Sequence, residues 1–120
     1  MRDFRKIKAW QLADDLVVDV YRKTEKFPKE ELYALTSQIR RAAYSVPANI
    51  AEGASRNTLK DYLHFLYIAR GSLSEVEYFL HLSKRLTYLP QTDYDALNNT
   101  AIESQKCLCG LINAVEKELQ

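Results

Sequence analysis

A row of hydrogen-bonding and charged side chains runs along one segment of this chain. The row consists of Gln38, Arg41, Ser45, Asn49, Glu52 and Arg56. The spacings of 3, 4, 4, 3 and 4 residues put them on one narrow strip of a helix, because each residue of an α-helix advances by about 100°. A solvated helix face is usually built from Lys and Glu. Amides and hydroxyls in register therefore indicate a strip that is meant to be hydrogen-bonded.

This polar row has three interpretations. The first is a buried network that fixes helix register, for which the candidate residues are Gln38, Ser45, Asn49, Glu52, Arg70 and Glu75. The second is an RNA-facing surface that contacts phosphates, with the candidates Arg40, Arg41, Arg56, Lys60, Arg5 and Lys6. The third is a catalytic cleft, which would need a nucleophile or a base beside the row and which the sequence favours least.

Catalytic chemistry finds little support elsewhere in the chain. Asp14–Asp15 and Glu30–Glu31 are adjacent pairs, so on a helix the two carboxylates of each pair diverge. The two histidines have no metal-binding partner at helical spacing, and two cysteines alone do not make a structural zinc site. We therefore assign no catalytic residue and expect no enzyme, no metal and no cofactor.

Composition points to one ordinary globular domain over residues 1–120. Hydrophobic residues make up 47% of the chain and charged residues 28%, which argues against disorder. No apolar run reaches the roughly 18 residues of a membrane span, so a cytoplasmic protein without membrane contact is expected. The net charge of +1 gives no global case for nucleic acid. Residues 1–8, however, hold four basic groups against one acid.

Four amphipathic segments with short connectors predict an all-α, antiparallel, up-down four-helix bundle. The first helix is expected over residues 8–25, and the second from Pro28 to about Glu52, where Gly53 can stop it. Thr58 resembles the N-cap of the third helix, and Thr92 resembles the N-cap of the fourth.

The third helix carries a second row beside its core stripe. Its candidate interface residues are Ile68, Ser72, Phe79, Leu82 and Leu86. One core rarely needs so wide an apolar arc, so this row predicts contact with another subunit and hence a homo-oligomer.

Eight tyrosines give the chain a marked aromatic content. Tyrosine rings can stack on single-stranded bases. At the edge of a helical bundle, however, tyrosine more often packs its ring and leaves its hydroxyl in water. The sequence favours packing.

Three stretches carry a family resemblance: FRKIKAWQLADDL, FPKEELYALTSQIRRAAYSVPANIAEGASR and IARGSLSEVEYFL. They resemble the proteins encoded in intervening sequences of bacterial 23S rRNA genes, called S23 proteins. The resemblance implies a left-handed four-helix bundle that assembles into a ring, a homopentamer. It also implies kinship to accessory proteins of diversity-generating retroelements, which bind RNA and a reverse transcriptase.

Taken together, the sequence predicts a non-enzymatic homo-oligomer whose partner is structured RNA. The alternative is a protein–protein interaction scaffold without direct RNA contact.

Overall fold

The computed structural model describes residues 2–120, and these form helices and no β-strand. The four α-helices are α1 (Lys8–Lys23), α2 (Leu35–Ala54), α3 (Leu59–Arg85) and α4 (Gln91–Leu119), with short 3-10 turns at Phe4–Lys6 and Lys29–Glu31. Each helix packs on the next, and α1 also packs on α4. The helices therefore occupy the corners of a square, and the predicted antiparallel four-helix bundle is confirmed.

One continuous core fills the space between the four helices. Its largest fully buried side chains include Leu16, Ile39, Leu66, Leu73 and Leu108. Each lies on the apolar stripe of its helix, which is why the four stripes could be recognised from their spacing of three and four residues. The bundle is elongated, with extents of 46 × 24 × 20 Å.

The prediction that α2 begins at Pro28 is wrong. Pro28 precedes a separate 3-10 turn, and α2 begins only at Leu35. The backbone leaves the helical region at Ala34, whose φ and ψ are −123° and −106°. The carboxylate of Glu31 then accepts a hydrogen bond from the Leu35 N–H at 3.3 Å. This carboxylate satisfies one of the N–H groups that a helix start leaves without a partner.

The two N-cap predictions have different outcomes. Thr58 caps α3 as expected, because its side chain accepts a hydrogen bond from the Asp61 N–H at 3.1 Å. Thr92 is not a cap, because α4 already begins at Gln91 and Pro90 holds the N-cap position. The Pro90 carbonyl accepts the first helical bond, from the Tyr94 N–H at 2.9 Å.

Gly53 was expected to stop α2, but it lies inside the helix, where α2 meets α3. A Cβ built on Gly53 would lie 2.9 Å from the Phe65 Cβ and 3.1 Å from the Tyr62 Cδ1. Only glycine allows the two helices to approach this closely without displacing an aromatic side chain.

Gly53→Ala should therefore destabilise the protein by about 1–3 kcal/mol, because the added methyl overpacks the contact between α2 and α3. Gly71→Ala is the matched control, since a Cβ at Gly71 would meet nothing within 4 Å. Alanine there should stabilise α3 by roughly 0.5–1 kcal/mol. Urea unfolding measures both changes. A Gly53→Ala variant as stable as Gly71→Ala would contradict the close approach.

Candidate functional site

The polar row of α2 borders a groove between α2 and α3. The groove encloses about 280 Å³ and is lined by Gln38, Arg41, Ala42, Tyr44, Ser45, Ser72 and Glu75. Gln38, Arg41 and Glu75 are exposed, whereas Ser72 is buried. The row thus lies where two helices meet at the surface, with one edge in the seam and the other in solvent.

A short chain of hydrogen bonds crosses this seam. The Ser45 and Ser72 hydroxyl oxygens are 3.0 Å apart. Asn49 Nδ2 donates to the Ser45 carbonyl at 2.7 Å and to the Ser45 Oγ at 3.0 Å. Because Ser45 Oγ accepts from Asn49, its own proton is free to be donated to Ser72. This part of the row joins α2 to α3.

The other candidate network residues surround the seam without being joined to it. Glu52 pairs with Arg56 at 2.6 Å, and the Arg70 guanidinium lies over the Tyr67 ring at 5.0 Å. Ser72, a candidate for the subunit interface, is only 8% exposed. Its hydroxyl is instead used within the protomer.

Two of the candidate phosphate-binding arginines lie near the start of α2, in different settings. Arg40 is anchored to the end of α1 by two hydrogen bonds: its Nε donates to Thr24 Oγ1 at 2.9 Å, and its Nη2 donates to the Tyr21 carbonyl at 3.3 Å. Its guanidinium also lies 4.7 Å from the centre of the Tyr21 ring. Arg41 is exposed, and residues 2–120 offer it no ion pair. Arg40 therefore holds helices together, and Arg41 is available to an anion.

A second group of cations lies at the far end of α2. Arg56 follows the helix, and its guanidinium lies 4.7 Å from the centre of the Phe65 ring. Lys60 is exposed in the first turn of α3, at the same end. Arg5 and Lys6 are in the 3-10 turn at the N-terminus, and Arg5 borders the same surface as Ser55.

Arg2 belongs to this second group, and sequence reasoning missed its role. Its Nη1 donates to the carbonyls of Ala54 and Arg56, at 3.4 and 3.2 Å. Its guanidinium lies 4.2 Å from the centre of the Tyr62 ring. Carbonyls at the end of a helix have no partner within it and favour a cation. The excess of basic residues at the N-terminus was the available signal, but nothing in the pattern named these carbonyls.

The candidate cations therefore form two groups at opposite ends of α2. Arg40 and Arg56 are 16 positions apart, which corresponds to about 24 Å at the helical rise of 1.5 Å per residue. The groups share no contact, so one compact ligand cannot engage both. An extended polyanion can.

The candidate interface residues of α3 are not equally accessible. Ile68 and Leu86 are exposed, whereas Phe79 and Leu82 pack partly against the core. Other exposed large apolar side chains lie on every helix, among them Val18 on α1, Tyr44 on α2 and Ile102 on α4. The apolar surface is thus distributed around the bundle.

Two titratable groups with shifted pKa values lie on the side of α3 that faces α4. Burial raises the pKa of the Glu77 carboxyl, and the nearby Gln105 amide on α4 opposes this shift. A hydrogen bond to Glu116 raises the pKa of the Tyr67 phenol. Within residues 2–120 no cluster of three or more His, Cys, Asp or Glu residues is arranged to hold a metal ion. No helix in this range has the length and apolar character to cross a membrane.

A double-mutant cycle on Ser45→Ala and Ser72→Ala should show a coupling free energy of about 0.5–1.5 kcal/mol, because the two hydroxyls bond each other in a mostly buried seam. The control cycle pairs Ser45→Ala with Ser74→Ala, because Ser74 is exposed and its hydroxyl bonds the Arg70 carbonyl and Gln105 Nε2 and not Ser45. Ser45→Ala and Ser74→Ala should add within about 0.3–0.5 kcal/mol. Additivity in both cycles would contradict the hydrogen bond across the seam.

Comparisons with known proteins place this fold and sequence in one family. A solved structure of a protein of unknown function from the S23 ribosomal protein family of Bacteroides thetaiotaomicron is similar, with a TM-score of 0.80 and 25% sequence identity over 88% of this chain and 95% of that chain. Comparison with curated proteins gives no match. The family model described as 23S rRNA-intervening sequence protein matches residues 5–110. The chain therefore belongs to the family of 23S rRNA-intervening sequence proteins.

Proposed function

We propose that this chain is a cytoplasmic, non-enzymatic homo-oligomer that binds structured RNA through the cations at the two ends of α2. The observation that carries the proposal is the arrangement of these cations. At one end Arg41 is exposed and has no ion pair among residues 2–120, and Arg2, Arg5 and Arg56 gather at the other end. The description of the family, which ties it to 23S rRNA, agrees with such a partner.

The existing contacts of these arginines do not prevent phosphate binding. Arg56 pairs with Glu52, but both side chains are about half exposed. Ion pairs of this kind are worth little in water. Arginine presents five N–H donors in a planar fork, so Arg56 can hold Glu52 and still offer donors to a phosphate oxygen.

In an oligomer, repeated RNA contacts compensate for the low net charge of each protomer. A protomer of net charge +1 attracts a polyanion weakly. In a ring, however, each additional protomer contacts the same RNA at a high effective concentration, so avidity exceeds the affinity of one copy. A homopentamer, which the sequence resemblance implies, would present its two cation groups five times.

The proposal predicts salt-sensitive retention of rRNA fragments on a filter, because phosphate contacts release counterions when they form. Arg41→Gln and Arg56→Gln should each weaken binding to all retained fragments about equally and lower the salt dependence. Lys106→Gln is the control, because Lys106 is an exposed cation on α4, which does not pack on α2. The absence of retention at low salt, or equal losses for all three variants, would contradict the proposal.

A protein–protein scaffold is the second candidate, favoured by the exposed apolar side chains of α3. Ile68 and Leu86 are 39% and 42% exposed and would be covered in an assembly. Ile68→Asp should yield a folded monomer, measured by light scattering, with Lys60→Asp as a control on the same helix. An Ile68→Asp protein of unchanged mass would exclude this residue from a subunit interface.

A further inference from the structure

We infer that a groove at the start of α2 binds unpaired nucleotides, with bases stacked on Tyr33 and Tyr44 and a phosphate on Arg41. This inference rests on the proposed RNA binding and names the part of the RNA that the groove would recognise. It assigns a role to tyrosines that the sequence had placed in bundle packing.

The groove lies where α1, the segment before α2 and the first turns of α2 meet. It encloses about 360 Å³, and its walls are Tyr21, Leu32, Tyr33, Arg40, Arg41 and Tyr44. Leu32–Ala34 is the non-helical segment that results from the late start of α2. Had α2 begun at Pro28, as expected, Leu32 and Tyr33 would have been part of a regular helix. The late start is what brings them to the rim of this groove.

Tyr33 is almost fully exposed to solvent. Its side chain is 93% exposed, and it forms no hydrogen bond through its side chain with residues 2–120. Tyr44, at 46% exposed, presents much of its ring to the same groove. The expectation that tyrosines pack is right for Tyr62, which is buried, and wrong for Tyr33. Exposed aromatic faces of this kind are the surfaces on which unpaired bases stack.

The charges around the groove suit an anionic ligand. None of the lining residues is acidic, and Arg40 and Arg41 both reach the groove. In the preceding turn, the Glu31 carboxylate is already bonded to a backbone N–H and to a tyrosine hydroxyl. Glu30 and Lys29 are both exposed in this turn. The exposed Glu75 borders Arg41 on its other side, in the groove between α2 and α3, so the acid-free side of Arg41 is the one that faces the tyrosines.

A second copy of the chain fits this groove less well than nucleotides do. Leu32 is the only aliphatic side chain among the lining residues, and the others are tyrosines, arginines and small hydroxyl residues. Apolar docking grooves for helices are instead rich in aliphatic surface. Stacking rings beside a cation, with no acid in the lining, are the combination found in single-strand binding sites.

The test uses the full-length protein and two fluorescent probes of known structure, a 12-nucleotide single-stranded RNA and a 12-base-pair RNA duplex. Fluorescence anisotropy at low salt should show tighter binding of the single strand. Tyr33→Ala and Tyr44→Ala should each weaken it by about fivefold or more, as expected for the loss of one stacked base. Tyr33→Phe, which keeps the ring, should retain the affinity. Tyr78→Ala is the control, because Tyr78 is an exposed tyrosine on α3 outside the groove.

The outcomes separate this inference from the proposed function. Loss of single-strand affinity in Tyr33→Ala and Tyr44→Ala, but not in Tyr33→Phe or Tyr78→Ala, supports the groove. Unchanged affinity in both alanine variants, or binding of the duplex alone, overturns the groove and leaves RNA binding standing. No binding of either probe or of rRNA fragments overturns both. A Tyr33→Ala protein with altered oligomeric mass and unaltered RNA affinity would show that another copy covers the groove.

Discussion

The close contact between α2 and α3 fixes the orientation of the polar row of α2. At one end of this contact Gly53 leaves no room for a Cβ beside Phe65 and Tyr62. Nearer the middle, Ser45 and Ser72 bond across the seam. Two fixed points along the helix prevent α2 from rotating about its axis, because rotation would drive the backbone of Gly53 into an aromatic ring or break the hydroxyl pair. The polar row is therefore held at the edge of the seam.

Because α2 is held in this orientation, different members of the polar row have different roles. Its central members, Ser45 and Asn49, connect α2 to the neighbouring helix. Arg41 lies four positions before Ser45, about one turn, and Arg56 lies seven positions after Asn49, and both remain at the surface. One sequence pattern thus contains a structural part and a part available to ligands. This mixture explains why the sequence alone left both interpretations open.

The spacing of apolar residues predicted the four helices, but it did not predict where α2 begins or what Gly53 does. The apolar stripes identified four helices because core packing imposes a period of 3.6 residues. The start of α2 was missed because Pro28 and two glutamates resemble a helix start, whereas a long-range hydrogen bond from Tyr88 helps to hold Glu31 in a separate turn. Gly53 was read as a helix stop because its sequence position cannot reveal an approach by another helix. Tyr33 was assigned to packing because exposure depends on where α2 begins. Membership of the family was recognisable from the motifs of α2 and α3.

The proposed RNA-binding surface consists of α2 and the segments at its two ends. The most direct test is ultraviolet crosslinking of the protein to bound rRNA fragments, followed by mass spectrometry of the crosslinked peptides. We expect crosslinks in peptides that contain Tyr33, Tyr44 or the residues around Arg56, and their loss at high salt. Crosslinks confined to α4, or none under conditions in which RNA is retained, would contradict it.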